Sequence, residues 1–433
     1  MVNLIVIEAP GKIEAFTLAL GRGWRVFATK GHFVQNPERL RPLYIDRRFK
    51  ETARIPDPVR LEELKKAICG VSGVYLATDA DDEGEVIAAD VARVAREKDL
   101  YRVIVRDLDH ETIRAAVRNA VKYKRRDTAG TTRRIIDRIL GGVFSKNGGC
   151  GRVLSPLLAS IERGDETYCE LSGPWSYGET LLALRRELNI PVQEGAKRLQ
   201  KLYEGGLLSY PRTAGRGFSP ETQRDLILFA RRRNMPPTLD LPAATGSEVH
   251  EGLHPTRRGL EMVTLGPDPK NLPGDSAVLS VLARNLVFCM RGGDVPWTFC
   301  RHERRPLAPD EILLAKMLRL GLGRPSTLAS HVSRIIDDRL VETSRNGGLA
   351  LSPKGRRWVD ATPSWLKDVG YSISVENAIN QMSMVHKPAR AIISNIVSLL
   401  PLDAQEQIID AISRDETSVD NQERETIAIS RDS

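Results

Sequence analysis

Within 433 residues, a short acidic run has the residue types to bind a cation. Asp79, Asp81 and Glu83 alternate in the stretch Asp79-Ala80-Asp81-Asp82-Glu83-Gly84-Glu85. Along an extended turn that alternation turns three carboxylates to one side. Glu8, at the end of another apolar run, can join them. Carboxylates held together repel one another unless a cation intervenes. A few hard oxygen donors favour Mg²⁺, which keeps several waters and also takes a phosphate oxygen. Two structural readings stay open beside this one. Acidic residues ahead of a helix cap its free N–H groups and offset its dipole. Asp79, Asp81, Glu83, Gly84 and Asp90 also partly match a calcium loop of the EF-hand kind. Against that, a strand precedes the run, and Asp90 stands where the loop needs Glu.

The elements that must position these groups alternate. Residues 3–7 and 74–78 are apolar, β-branched strands, and 102–105 is a third. Helical patterns follow at 12–20, 86–96 and 110–121. Such alternation predicts a parallel α/β sheet. Ligands in these sheets sit at the carboxyl ends of the strands, where Glu8 and the acidic run both fall. Residues 122–155 are basic and helical, broken by Gly148, Gly149 and Gly151. Helical stretches at 194–204 and 311–340 each lead into a short apolar strand, the order of a winged helix. Beyond Leu402 the chain turns polar and acidic, which predicts a disordered or loosely helical tail.

Composition narrows the class further. Hydrophobic residues make up 41% of the chain, enough for buried cores, while aromatics at 5% argue against large stacking platforms. Lys and Arg number 64 against 56 Asp and Glu, a net charge of +8. That balance suits a polyanionic partner and also many neutral roles. The five cysteines form no C-x-x-C pair, which argues against a zinc ribbon or disulfide framework and for reduced cytosolic thiols. The apolar start lacks a basic leader and reads as a strand, not a signal peptide. No run is long and apolar enough to span a bilayer.

Residues 76–85, Leu-Ala-Thr-Asp-Ala-Asp-Asp-Glu-Gly-Glu, resemble the toprim signature shared by topoisomerases, bacterial primases and some nucleases. Residues 6–12 resemble its strand-end partner in the type IA form, with Lys12 four residues after Glu8. Ala9 and Asp82 depart from it, standing where a polar and a basic residue are common. Residues 202–213, Leu-Tyr-Glu-Gly-Gly-Leu-Leu-Ser-Tyr-Pro-Arg-Thr, resemble the active-site segment of type IA DNA topoisomerases. A lone Tyr on a short strand is ordinarily core packing; the twelve-residue context reverses that.

The resemblance implies that Tyr210 is the nucleophile and Arg212 its partner. A phenol near pKa 10 needs nearby cations to ionise, and Arg212 keeps its charge and holds phosphate by two hydrogen bonds. Lys12 and His250 would assist, and Glu8 would protonate the leaving oxygen. Mg²⁺ would sit on Asp79, Asp81, Glu83 and Glu8. Gly31-His32, Arg102, the Gly-Arg-Val-Leu-Ser-Pro stretch at 151–156 and Gly-Leu-Gly-Arg-Pro-Ser-Thr at 321–327 resemble further family motifs. By that match His32, Arg102, Arg152, Arg324 and Ser326 contact DNA. Leu154 replaces a Gln of the family. His254, within the His-Glu motif at 249–256, replaces an Arg with a weaker, pH-dependent cation.

The resemblance covers roughly 1–400. It implies a toprim α/β domain (1–120), a helical DNA-binding domain split across 121–188 and 310–400, and a winged-helix gate (189–283) carrying Tyr210. Residues 284–309 would be the remnant of a hinge or arch, and 401–433 a polar acidic tail. The spacers at 157–188 and 284–309 are too short for the family's long two-stranded arch, so the expected toroid is reduced or incomplete. The family's C-terminal zinc ribbons have no counterpart here, so an accessory protein is the expected substitute. The implied activity is Mg²⁺-dependent, ATP-independent cutting of one DNA strand through a 5′-phosphotyrosine, strand passage and religation. The expected setting is cytoplasmic, at the nucleoid. Two rivals share parts of the pattern. A toprim primase or nuclease needs the acidic run without Tyr210. A non-catalytic single-strand binder would fit the reduced arch, Leu154 and His254.

Overall fold

The computed structural model describes the chain except residues 1, 146–148, 165–170, 172, 246–249, 293–306, 345–346, 386–387 and 430–433; at 382–385 and 416–429 it describes backbone alone. Five strands form one sheet in the order Trp24–Ala28, Asn3–Ile7, Gly73–Leu76, Asp99–Arg102, Val121–Lys122. The first four run parallel and the last antiparallel. Asn3–Ile7 is central and covered on both faces, which is why it is apolar without alternation. Leu4 and Val6 pack with Leu64, Ile87 and Val91 on one face. Ile5 and Ile7 pack with Phe16 and Ile113 on the other. The α/β reading therefore holds. The third strand lies three residues earlier than expected, and the sheet runs past residue 120 to Lys122.

The helical remainder has two cores, divided differently from the expected split domain. Ala129–Phe144 packs with Val369–Val385, Ala389–Ser398 and the start of Leu402–Ile429, and Leu43 and Ile45 reach in from the α/β unit. Leu154–Glu162 and Tyr177–Leu188 instead join Val192–Glu204, Gly274–Cys289, Pro309–Leu320 and Leu328–Asp337. The chain changes core between Cys150, which still packs against the core of Ala129–Phe144, and Val153, which packs against the other. The helix Gly274–Cys289 continues through the expected 283/284 boundary, and residues 293–306 of the expected arch remnant lie outside the described residues. Outside the main sheet, the described strands form only two short antiparallel pairs, Val34–Gln35 with Ile55–Pro56 and Val341–Thr343 with Leu349–Leu351. The second pair is the wing expected after the 311–340 helices. Beside Tyr210 the expected strand is reduced to a single bridge, Leu208 with Pro255.

The tail reading needs correction. Residues Leu402–Ile429 are one helix, and Ala404, Ile408, Ala411 and Ile412 are buried in the core around Ala129–Phe144. Their spacing is a helical stripe, which the polar composition around it concealed. The backbone N–H of Leu43 donates to Asp415 and pins this helix to the α/β unit. No helix among the described residues is long and apolar enough to cross a membrane. Ile408, fully buried, tests the packing. Ile408→Ala is expected to cost about 2–5 kcal/mol in denaturant unfolding; a free tail would show no change.

Candidate active site

Two strand ends and one buried turn meet here. Glu8 follows Asn3–Ile7 directly, and the chain after Gly73–Leu76 stays extended to Asp79. Asp81 then caps the helix Asp82–Val94, its Oδ1 accepting the Gly84 N–H at 2.8 Å. The capping reading thus holds for Asp81, and its other oxygen, Oδ2, faces Tyr210. Gly84 is required at this turn, since a Cβ there would lie 1.9 Å from the Asp79 carbonyl oxygen.

Tyr210 reaches this loop from the opposite side. It is only 2% exposed and packs among Ile5, Ile7, Ala77 and Val103 of the α/β unit. Its hydroxyl donates to Asp81 Oδ2 at 2.6 Å, and its N–H to the Arg106 carbonyl at 3.3 Å. The His250 ring stacks on it with centroids 4.3 Å apart, and the Tyr203 ring meets it edge-on at 5.4 Å. Ser209 and His254 hold the segment in place. The Ser209 N–H donates to the His254 carbonyl at 2.9 Å, and the His254 N–H to Ser209 Oγ at 3.0 Å. His254 Nδ1 lies 2.7 Å from the Gly252 carbonyl. In this structure His254 fastens the tyrosine segment and does not point a cation at solvent.

Charge is compensated residue by residue. Lys12, 2% exposed, bonds Asp79 and lies 4.6 Å from the Tyr203 ring centre. Burial works against its charge, yet Tyr203, Asp79 and Glu8 hold its pKa above the usual lysine range. Glu8 has the opposite balance: burial, then Asp79 and Asp81, push it up to about 7 against the pull of Lys12 and Arg212. Burial and the two aspartates also lift Tyr210 well above 10, so the phenol is neutral here. Burial brings His250 down to about 4, and its Nε2 is buried without a partner. Arg212 faces Tyr210, Asp81, Glu8 and Asp79 and remains charged.

Several expected roles change. Glu83 is drawn away to His32, at 2.6 Å, and Asp79 to Lys12. Among the described residues no three His, Cys, Asp or Glu side chains close into a metal cage. The four expected ligands therefore do not all converge, because Lys12, His32 and the Tyr210 hydroxyl already hold three of them. Glu8, Asp79 and Asp81 still offer hard oxygens at one place, which is the donor chemistry of Mg²⁺ with its own waters. Arg102 is 7% exposed and spends its donors on Glu85 and the carbonyls of Leu76, Thr78, Asp79 and Val103. It braces the acidic loop from behind. Arg152 is 5% exposed and paired with Asp137 and Glu376. Arg324 spans Asp82 and Glu376, with Ser326 half-buried in the same turn. Leu154, in place of the family's Gln, is buried in the larger helical core. The sequence reading missed Tyr203, Arg133 and Glu376. Tyr203 lies in the quoted segment, and Arg133 in the basic helix, but nothing local marks Glu376.

Residues 3–108 match the Toprim domain family. DNA topoisomerase 1 of Campylobacter jejuni is 35% identical over 173 residues, covering 37% of this chain and 23% of that protein. DNA topoisomerase 1 of Aquifex aeolicus is 34% identical over 181 residues, 37% of this chain and 32% of that protein. The chain thus spans less than a third of the length of these curated relatives. The solved structure of full-length topoisomerase I from Thermotoga maritima superposes with a TM-score of 0.72 at 18% identity, covering 94% of this chain and 90% of that one. What is shared at that identity is the fold. Residues 3–108 thus match the Toprim domain, and the chain built around them shares the fold of the Thermotoga maritima topoisomerase I.

Proposed function

We propose that this chain cuts one DNA strand with Tyr210, lets another strand pass, and reseals the cut without ATP, relaxing negative supercoils. The observation that carries the reading is the Tyr210 hydroxyl donating to Asp81 at 2.6 Å, beside Glu8, Lys12, Asp79 and Arg212.

The chemistry follows from those positions. Asp81 takes the phenol proton as the Tyr210 oxygen bonds to phosphorus. Arg212 and Lys12 stabilise the charge growing on the phosphate oxygens. Glu8, near pKa 7, holds the proton that the departing 3′ oxygen requires. The products are a 5′-phosphotyrosine and a free 3′-hydroxyl. Religation runs the same transfers backwards, with Glu8 taking the hydroxyl proton and Asp81 returning its own to Tyr210. Held by Asp79, Asp81 and Glu8, Mg²⁺ would neutralise phosphate charge beside them. Since Tyr210 is 2% exposed, a strand reaches it only when its segment parts from the α/β unit. Underwound duplex, which opens into single strands, is the substrate this favours.

With Mg²⁺ and no ATP, negatively supercoiled plasmid is expected to give a ladder of relaxed topoisomers on a gel. Tyr210→Phe and a chelator should each abolish it. Arg212→Gln should slow cleavage by on the order of a hundred-fold or more. Absence of both a ladder and a covalent adduct on a single-stranded oligonucleotide would count against the reaction. Glu8 also marks stability. Its folded pKa, about 7, exceeds its ordinary 4.5, so between those values the folded state holds the extra proton and stability falls as pH rises. The melting advantage of Glu8→Gln over the parent should therefore widen from pH 5 to pH 8. A constant or shrinking gap would contradict the burial of Glu8 against Asp79 and Asp81.

A further inference from the structure

Three arginines far apart in sequence converge on one carboxylate. Arg133 Nη2 and Arg324 Nη1 reach Glu376 Oε1 at 2.6 and 2.7 Å, and Arg152 Nη1 reaches Oε2 at 2.9 Å. Arg133 Nε adds a longer bond to Oε2 at 3.3 Å. Asp82 accepts from Arg133 at 2.9 Å and Arg324 at 2.5 Å, and Asp137 from Arg152 at 2.6 Å. Three guanidiniums and three carboxylates make a neutral set. Gly130 lets the Arg133 helix sit this close, since a Cβ there would meet the Asp82 carbonyl oxygen at 2.5 Å. Asp82 follows Asp81, so the cluster adjoins the loop that holds the Tyr210 hydroxyl.

The three carboxylates are not equivalent. Asp82 is tied by backbone to the start of its helix, and Asp137 engages Arg152. Glu376 is the hub, on the longest of the three side chains, and that side chain is 21% exposed. A guanidinium fork binds carboxylate and phosphate oxygens with the same geometry. We propose that Arg133, Arg152 and Arg324 form a phosphodiester site that Glu376 fills until a DNA strand arrives, so that one backbone phosphate exchanges for the Glu376 carboxylate. Exchange keeps the charge of the set unchanged and avoids leaving buried arginines unpaired, the outcome that costs most in such networks. The inference rests on the proposed reaction for the identity of the anion. It adds Arg133 as a strand contact and makes Glu376 the competitor that sets strand affinity.

The test uses the full chain carrying Tyr210→Phe, so cleavage plays no part, and a fluorescent single-stranded oligonucleotide titrated at several salt concentrations. Glu376→Gln should tighten binding about ten-fold at low salt. It should also steepen the dependence of log affinity on log salt by about 0.7, one phosphate contact on a single strand. In that variant inorganic phosphate should raise the melting temperature above chloride at equal ionic strength, and in the parent it should not. Should Glu376→Gln not fold, Arg133→Gln alone decides: the site predicts weaker binding and a shallower salt slope. Unchanged oligonucleotide affinity in a folded variant of either kind overturns the proposal and leaves a purely structural ion network. Affinity that responds to Glu376 in a protein that never cleaves would sink the proposed reaction and keep this site. Cleavage with affinity indifferent to Glu376 would do the reverse.

Discussion

Carboxylates crowded at the ends of parallel strands repel one another, and much of this structure answers that repulsion. Two like charges 4 Å apart interact by about 4 kcal/mol at the effective dielectric of a protein near its surface. That is a large share of the 5–15 kcal/mol by which folded proteins are typically stable. The compensation is correspondingly dense. Lys12 is buried to meet Asp79, His32 takes Glu83, and Arg102 spans Glu85 and the loop carbonyls. Arg133 and Arg324 close on Asp82. Glu8 is compensated only in part by Lys12 and Arg212 and keeps its proton to about pH 7.

The same arrangement couples access to chemistry. Tyr210 belongs to the hydrophobic layer that covers one face of the α/β sheet, along with Phe16, Ile113 and Tyr203. Its neutral hydroxyl satisfies Asp81, so the closed form is stable without a ligand. Parting the tyrosine segment from the sheet exposes apolar surface and strips Asp81 of a donor, costs that bound DNA would have to offset. The core around Ala129–Phe144 meets the α/β unit through Leu43 and Ile45, and the tyrosine segment meets it through the Tyr210 N–H on the Arg106 carbonyl. Stability and reactivity therefore share residues at this junction.

How much was legible beforehand depended on whether the signal was local. Glu8, Lys12, Asp79 and Asp81 stand within a few residues of their strands, so the 3–7 and 74–78 patterns placed them correctly. Tyr210 was legible from its twelve-residue context, although the strand expected there proved to be a single bridge. Convergence was overestimated, because side-chain direction depends on partners such as His32 and Lys12 that no spacing reveals. Arg102 looked like a surface cation, and only the fold shows its donors spent on carbonyls. Glu376, 243 residues from Arg133, gave no sign in its own helix. The buried stripe of Leu402–Ile429 was hidden by the charged residues between its apolar positions.

The most direct test of the central claim, that the Toprim strand ends and Tyr210 form one reaction centre, is to map the covalent bond. The protein would be trapped on a single-stranded oligonucleotide, digested, and its nucleotide-bearing peptide sequenced by mass spectrometry. The account predicts one adduct, on Tyr210, through the 5′ phosphate of the downstream fragment, with Glu8→Gln impairing its formation. An adduct on another residue, or attachment through a 3′ phosphate, would contradict it.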